Sequence, residues 1–200
     1  MISNTVLKAK KYVEELLSPL KEKWYEFHNL DHTLSVFERA SYLAQMEWLD
    51  EEIQEIIQLA ALFHDTWFIK QYDNNEVIWA EIAEKWLKEQ NFPEDKIDII
   101  KQIILATILG SPTNTMLEKI IKDSDMDNLW RDDCCKLEEA LRNELKNIKN
   151  IKFTDKERYD RINSYIQPFK FFTKTQIKER NQKFEENKKI LKDKIESAKQ

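Results

Sequence analysis

Apolar residues recur along most of this chain at intervals of three and four, the spacing that lines one face of an α-helix. Val6, Tyr12, Val13, Leu16 and Leu17 form such a stripe over roughly residues 3–17, and Pro19 closes it. A second stripe, about 31–48, follows Asn29 as its cap and carries Leu34, Val36, Phe37, Ala40, Leu43 and Ala44. A third opens on Asp50-Glu51-Glu52, acids at the positive end of a helix dipole, and runs from Ile53 through Ile57, Ala60 and Phe63 into His64-Asp65. Residues 66–74 break the period and predict a loop. The pattern then predicts helices over about 75–90, from the turn at Pro93 to about 109, and over about 113–130, 133–147, 154–168 and 174–196. Thr154 with Glu157 three residues on is a capping box for the eighth of these. In the ninth, Ile177, Phe184, Ile190, Leu191 and Ile195 stand far apart among charges, which suits a helix lying across the domain or against a partner.

Composition narrows this to an all-α fold of about nine helices with a long C-terminal one. The chain holds one glycine (Gly110) and four prolines, too little turn material for a many-stranded β fold. Its 200 residues fit one domain, residues 1–200, with a real core; neither repeats nor a linker divide it. Apolar residues at 42% and charged ones at 34% are ordinary for a soluble helical protein. The net charge of −5, with both signs interspersed, gives no footprint for nucleic acid, and none is expected. Residues 174–200 are locally basic, but interleaved acids at i,i+4 explain that as a solvated face. No run approaches the ~18–20 apolar residues that span a bilayer, and the N-terminus has no cleavable leader pattern. Cys134 and Cys135 are adjacent and offer neither a disulfide framework nor a zinc CxxC. A reducing cytoplasm is the expected location, with a homodimer left open.

The chemistry concentrates on few residues. There are three histidines, His28, His32 and His64. His28 and His32 lie four apart in FHNLDHT, with His28 before the cap at Asn29 and His32 in the first turn. His64 continues the stripe of Ile57, Ala60 and Ala61 and so faces inward, and Asp65 follows where that helix ends. In KIIKDSDMDNLW, the face of Leu117, Ile120 and Ile121 continues to Ser124 and Asp125. On the same reckoning Asp123 falls on the far side, and it and Asp127 are read as solvated. A buried carboxylate needs a cation or a full set of donors. Two imidazoles and two carboxylates suit one divalent ion of manganese, iron, cobalt, zinc, nickel or magnesium type. Such an ion lowers the pKa of water and can hold a phosphate oxygen. The competing plain reading is a core histidine satisfied by a backbone carbonyl.

FHNLDH (27–32), FHD (63–65), DNNEVIWA (73–80), ILAT (104–107) and DSDMDNLWRDD (123–133) together resemble the HD superfamily of metal-dependent phosphohydrolases, in a bacterial uncharacterised subgroup. KFFTKTQIKERNQKFEENKKIL (170–191) is similar to the C-terminal helix of that subgroup. The resemblance implies a metal-binding core over about 24–132 with a helical extension over about 133–200. It also implies His32, His64, Asp65 and Asp125 as ligands, with Asp123 as the alternative last ligand. Asp65, Glu76 and His28 are then the expected catalytic groups, with Glu76 as base or water positioner and His28 touching phosphate or the leaving group. Lys70 and Arg131 are the expected substrate contacts, and Trp67, Phe68, Tyr72 and Trp130 either line a pocket or fill a core.

Two departures matter. No histidine follows His64, and Gly110 stands where related proteins often have one, so a two-metal site is not expected. Phe68 and Ile69 stand where some single-metal relatives carry an acid. The expected activity is hydrolysis of a phosphate monoester or anhydride, on a nucleotide or another small phosphorylated metabolite, by a metal-activated water. The alternatives are a catalytically weak metal- and nucleotide-binding regulatory module, or a helical structural protein.

Overall fold

Side-chain caps set where five of the helices of the computed structural model begin; it describes residues 2–66 and 76–197 apart from the side chains of Lys21 and Tyr165. The Ser3 hydroxyl accepts from the Val6 amide and starts α1 (Asn4–Leu17). Asn29 accepts from the amides of Asp31 and His32 and starts α2 (Leu30–Met46), and Asp50 accepts from Ile53 and starts α3 (Glu51–Phe63). These side chains satisfy amides that have no partner inside the helix. After α4 (Glu76–Glu89) and α5 (Glu94–Ala106), full capping boxes open α6 (Met116–Asp125) at Thr115 and α8 (Asp155–Ile166) at Thr154. α7 (Cys134–Lys149) and α9 (Lys174–Ser197) complete nine α-helices, and no strand occurs among the described residues.

Two expected helices are shorter than their periodicity suggested. α5 stops at Ala106 rather than near 109, because Thr107 and Ser111 turn their hydroxyls onto the carbonyls of Ile104, Ala106 and Ile108. Gly110, at φ 85°, then reverses the chain. The sixth helix, expected to run unbroken to 130, ends at Asp125 and tightens into a 3₁₀ turn over Met126–Trp130. Such tightening is common at helix ends.

α2 packs on α3 and α6, α3 on α1 and α5, and α4 on α5. Their interior holds Val6, Val13, Leu43, Ile57, Leu59 and Ile100, all essentially inaccessible. A second, smaller apolar cluster joins Leu129 and Trp130 to Ile162 and Ile166 of α8, to Phe171, and to Phe184, Leu191 and Ile195 of α9. Trp130 thus fills a core, packed edge-on against Phe171 and Phe184. Ile177 and Ile190, counted in the α9 stripe from sequence, are exposed. None of the described helices is long and apolar enough to cross a membrane.

Candidate metal centre

Three helices bring the inward-facing acids and imidazoles to one point. His32 comes from the first turn of α2, held there by the Asn29 cap. His64 and Asp65 follow directly on α3, and Asp125 is the last residue of α6. Nε2 of His32 lies 3.4 Å from Nε2 of His64. Oδ1 of Asp125 lies 3.2 Å from the first nitrogen and 3.6 Å from the second. Oδ2 of Asp65 lies 3.2 Å and 3.4 Å from the same two nitrogens.

The separations among His32, His64 and Asp125 fit one ion, their donor atoms all lying within 4.8 Å of one another, while Asp65 meets both imidazoles from outside that group. With metal–ligand bonds of about 2.1 Å, neighbouring ligands stand about 3.0 Å apart in an octahedral shell and about 3.4 Å apart in a tetrahedral one. A structural observation points the same way: Asp65 Oδ2 is buried and has no well-directed hydrogen bond. An orphaned carboxylate oxygen is costly unless a cation answers it. His64 donates Nδ1–H to the Ala61 carbonyl at 2.7 Å, since a carbonyl can only accept. That leaves Nε2 as the free ring nitrogen facing the cluster, the orientation metal-binding histidines are given by such outer bonds. The plain reading of His64, a carbonyl-satisfied core histidine, is therefore only half of its environment.

Electrostatics agree with the geometry. Burial alone would lower the pKa of His32, but hydrogen bonding to Asp125 and Asp65, with their charges, raises it to about 10. His64 is also raised: burial opposes this, and Asp65 and Asp125 overcome it. Burial would push both aspartates up, yet the imidazoles hold them below the usual carboxylate range. The two carboxylates thus hold protons on the imidazoles; a divalent cation would displace those protons, since with neutral imidazoles the set carries two negative charges. The side chains of His32, His64 and Asp65 are nearly enclosed, whereas that of Asp125 is 24% exposed. Asp125 is accordingly where the centre opens. It borders a cavity of about 160 Å³ shared with His32, Ser35 and Arg131, and a larger one of about 600 Å³ beside the α5–α6 loop.

The remaining expected residues fall in different places. His28 sits beside the cluster, its ring 6.2 Å from that of His32 and nearly perpendicular to it. Its Nδ1 is paired with Oε1 of Glu144, a residue of α7 that is completely buried. The other oxygen of Glu144 accepts from the amides of Phe27 and His28. Burial would raise the Glu144 pKa, but His28 and these two amides lower it. Arg131 lies at the rim with its fork on Asp133 and Nη1 on the Ser35 hydroxyl. Glu76 opens α4, half buried, and no hydrogen bond or ion pair joins it to the four clustered side chains. Lys70, Trp67, Phe68 and Tyr72 lie outside the described residues.

Asp123 and Asp127 correct the expectation of solvated acids. Asp123 is fully buried and accepts from the amides of Phe172 and Thr173 and from the Thr173 hydroxyl. Burial nevertheless raises its pKa to about 6. Asp127 accepts from Arg180 and from Gln176 and lies 3.5 Å from Arg39. The far side of α6 is covered by the start of α9, contacts that no helical period of α6 itself reveals. Glu144 was missed altogether, although it interrupts the stripe Leu137, Leu141, Ile148 at a position where an apolar residue is expected.

A bundle of helices thus brings His32, His64 and Asp125 together at one enclosed point, with Asp65 beside them, a group that could hold a metal ion. Residues 29–151 match the HD domain family, and the chain belongs to it. No curated protein and no solved structure matches the chain.

Proposed function

We propose that this protein is a phosphohydrolase that uses one divalent ion to cleave a small phosphate ester or anhydride. The observation that carries the reading is the convergence of His32, His64 and Asp125 donor atoms, all within 4.8 Å of one another, beside the unsatisfied Asp65 carboxylate. These four residues would hold the ion, and family membership supports the reaction class. When bound, the ion supplies positive charge to phosphoryl oxygens and acidifies water toward neutrality. The mixed nitrogen and oxygen set favours manganese, iron, cobalt or zinc over calcium.

The chain's own residues do the rest. Glu144 accepts Nδ1–H of His28 and so fixes the ring, which leaves Nε2 as the atom through which a proton passes to the departing oxygen. Water adds to phosphorus as the bond to that oxygen breaks; His28 gives its proton to the leaving oxygen, and the proton that the water sheds passes to solvent. Arg131, already oriented by Asp133 and Ser35, offers its guanidinium edge to the phosphate side of the smaller cavity.

Purified protein supplied with manganese or cobalt is expected to release phosphate from some members of a panel of nucleotides, sugar phosphates and diphosphates, and Asp65→Ala is expected to release none. Tight binding of the ion without turnover of any member would replace this reading by a metal-dependent binding module. A native protein that takes up no ion would end both.

A further inference from the structure

The larger cavity at Asp125 has a composition unlike the metal centre beside it. Its walls are apolar, with Ile108 and Leu109 from the α5–α6 loop, Met126 after α6, and Phe169 and Phe172 before α9. Ile108, Leu109 and Phe172 are exposed there, a cluster of large apolar side chains around one opening. Among the described residues two cations line it, Lys122 and Lys170, and one carboxylate, Asp125. Lys122 is half-buried, and its ammonium donates to the Ser111 carbonyl, not to any acid among the described residues. That bond uses one of three ammonium protons, so two remain for a ligand.

Spacing links the cation to the metal centre. Lys122 and Asp125 are three apart on α6 and line the same cavity. Residues so spaced have Cβ atoms about 5–6 Å apart on one helix face. An anionic group bonded next to a phosphate held at Asp125 would meet Lys122 one turn away. Beyond it, the space of about 600 Å³ is in the range that takes a small-molecule ligand's body.

We infer that this cavity selects organic diphosphates: two linked phosphates, the outer one at the Asp125 centre and the inner one at Lys122 and Lys170, carried on an apolar or aromatic body that packs on Leu109, Met126 and Phe172. The inference rests on the hydrolase reading for the place of the outer phosphate. A bare monoester leaves Lys122 without an anion, and a compact sugar phosphate leaves the apolar wall wet.

Binding tests it without turnover. Full-length manganese-loaded protein is titrated in a calorimeter with an aryl methylene-diphosphonate and with the matching aryl phosphonate, neither of which can be hydrolysed at the bridging carbon. The diphosphonate is expected to bind about tenfold or more tightly. Lys122→Gln should erase that advantage while leaving the phosphonate's affinity unchanged, and exposed Lys170→Gln, which no fold requirement protects, should erase part of it. Leu109→Glu should weaken both probes, since it places an acid on the apolar wall. Equal affinity of the two probes for the native protein, or an equal loss for both in Lys122→Gln, would overturn the inference. A diphosphonate preference in a protein that hydrolyses nothing would uphold this selectivity and defeat the hydrolase reading. Brisk hydrolysis with no such preference would do the opposite.

Discussion

Between α1 and α6 the interior is filled mainly by Leu, Ile, Val, Ala and aromatic side chains, whereas α9 adds to its smaller apolar cluster a row of buried polar groups that fasten it to that body. Gln176 reaches Asp127 and Arg39, Arg180 reaches Asp127, Asn187 reaches the Leu129 carbonyl, and Thr173 reaches Asp123. Apolar packing is non-directional and roughly proportional to area, so it tolerates small shifts. Buried polar pairs are directional, and losing one partner strands the other. The first region should therefore fail as a whole, the second locally and in register.

The largest effect is expected from Phe63→Ala, which removes a fully buried ring packed against Tyr12 and Trp86, one residue before His64. A loss of about 3–5 kcal/mol is expected, with a single cooperative denaturant transition at a lower midpoint. A second transition would show that the two regions already unfold apart. Next is the ion itself: at about a hundred times its Kd, a bound cation adds about 2.7 kcal/mol. Chelation should remove that increment from the native protein but not from Asp65→Ala, as thermal melts would show. Asp127→Ala follows at about 2 kcal/mol, since Arg180 is partly exposed and recovers some hydration. Amide exchange should quicken along α9 and stay slow in α3; equal quickening in both would erase the distinction drawn between the regions.

The smallest is a pH effect at Glu144. Its folded pKa lies below the ordinary 4.5, so its contribution is complete above that value and fades as acid carries the pH down through the folded pKa. Glu144→Gln should flatten the acid limb of a stability–pH curve while leaving its neutral plateau sloping as before. An unchanged acid limb would mean that the carboxylate is equally comfortable in the unfolded chain.

The same contrast explains what could be read from the chain alone. Stripes such as Ile57, Ala60 and Ala61 and caps such as Asn29 and Thr154 are local, so periodicity and short-range hydrogen bonding reveal them. The inward faces of His64 and Asp125 and the helix end at Asp65 are again local properties, whereas gathering them with His32 into one ligand set was what the HD resemblance implied. Asp123 and Asp127 were misplaced because their partners lie about fifty residues away, on a segment whose docking site α6 does not encode. Glu144 meets His28 across 116 residues, and only its intrusion into an apolar stripe hinted at burial. Lys122 gave no sign at all: its neighbour Ser111 is brought back by the turn at Gly110, which no helical period describes.

The family match closes at residue 151, yet the groups that satisfy Asp123 are supplied by Phe172 and Thr173. A chain trimmed to its recognisable portion would still own the four side chains proposed to hold an ion, and would be left with a naked acid two places from Asp125. Trimming should thus loosen that candidate centre from behind, through a residue outside the proposed ligand set.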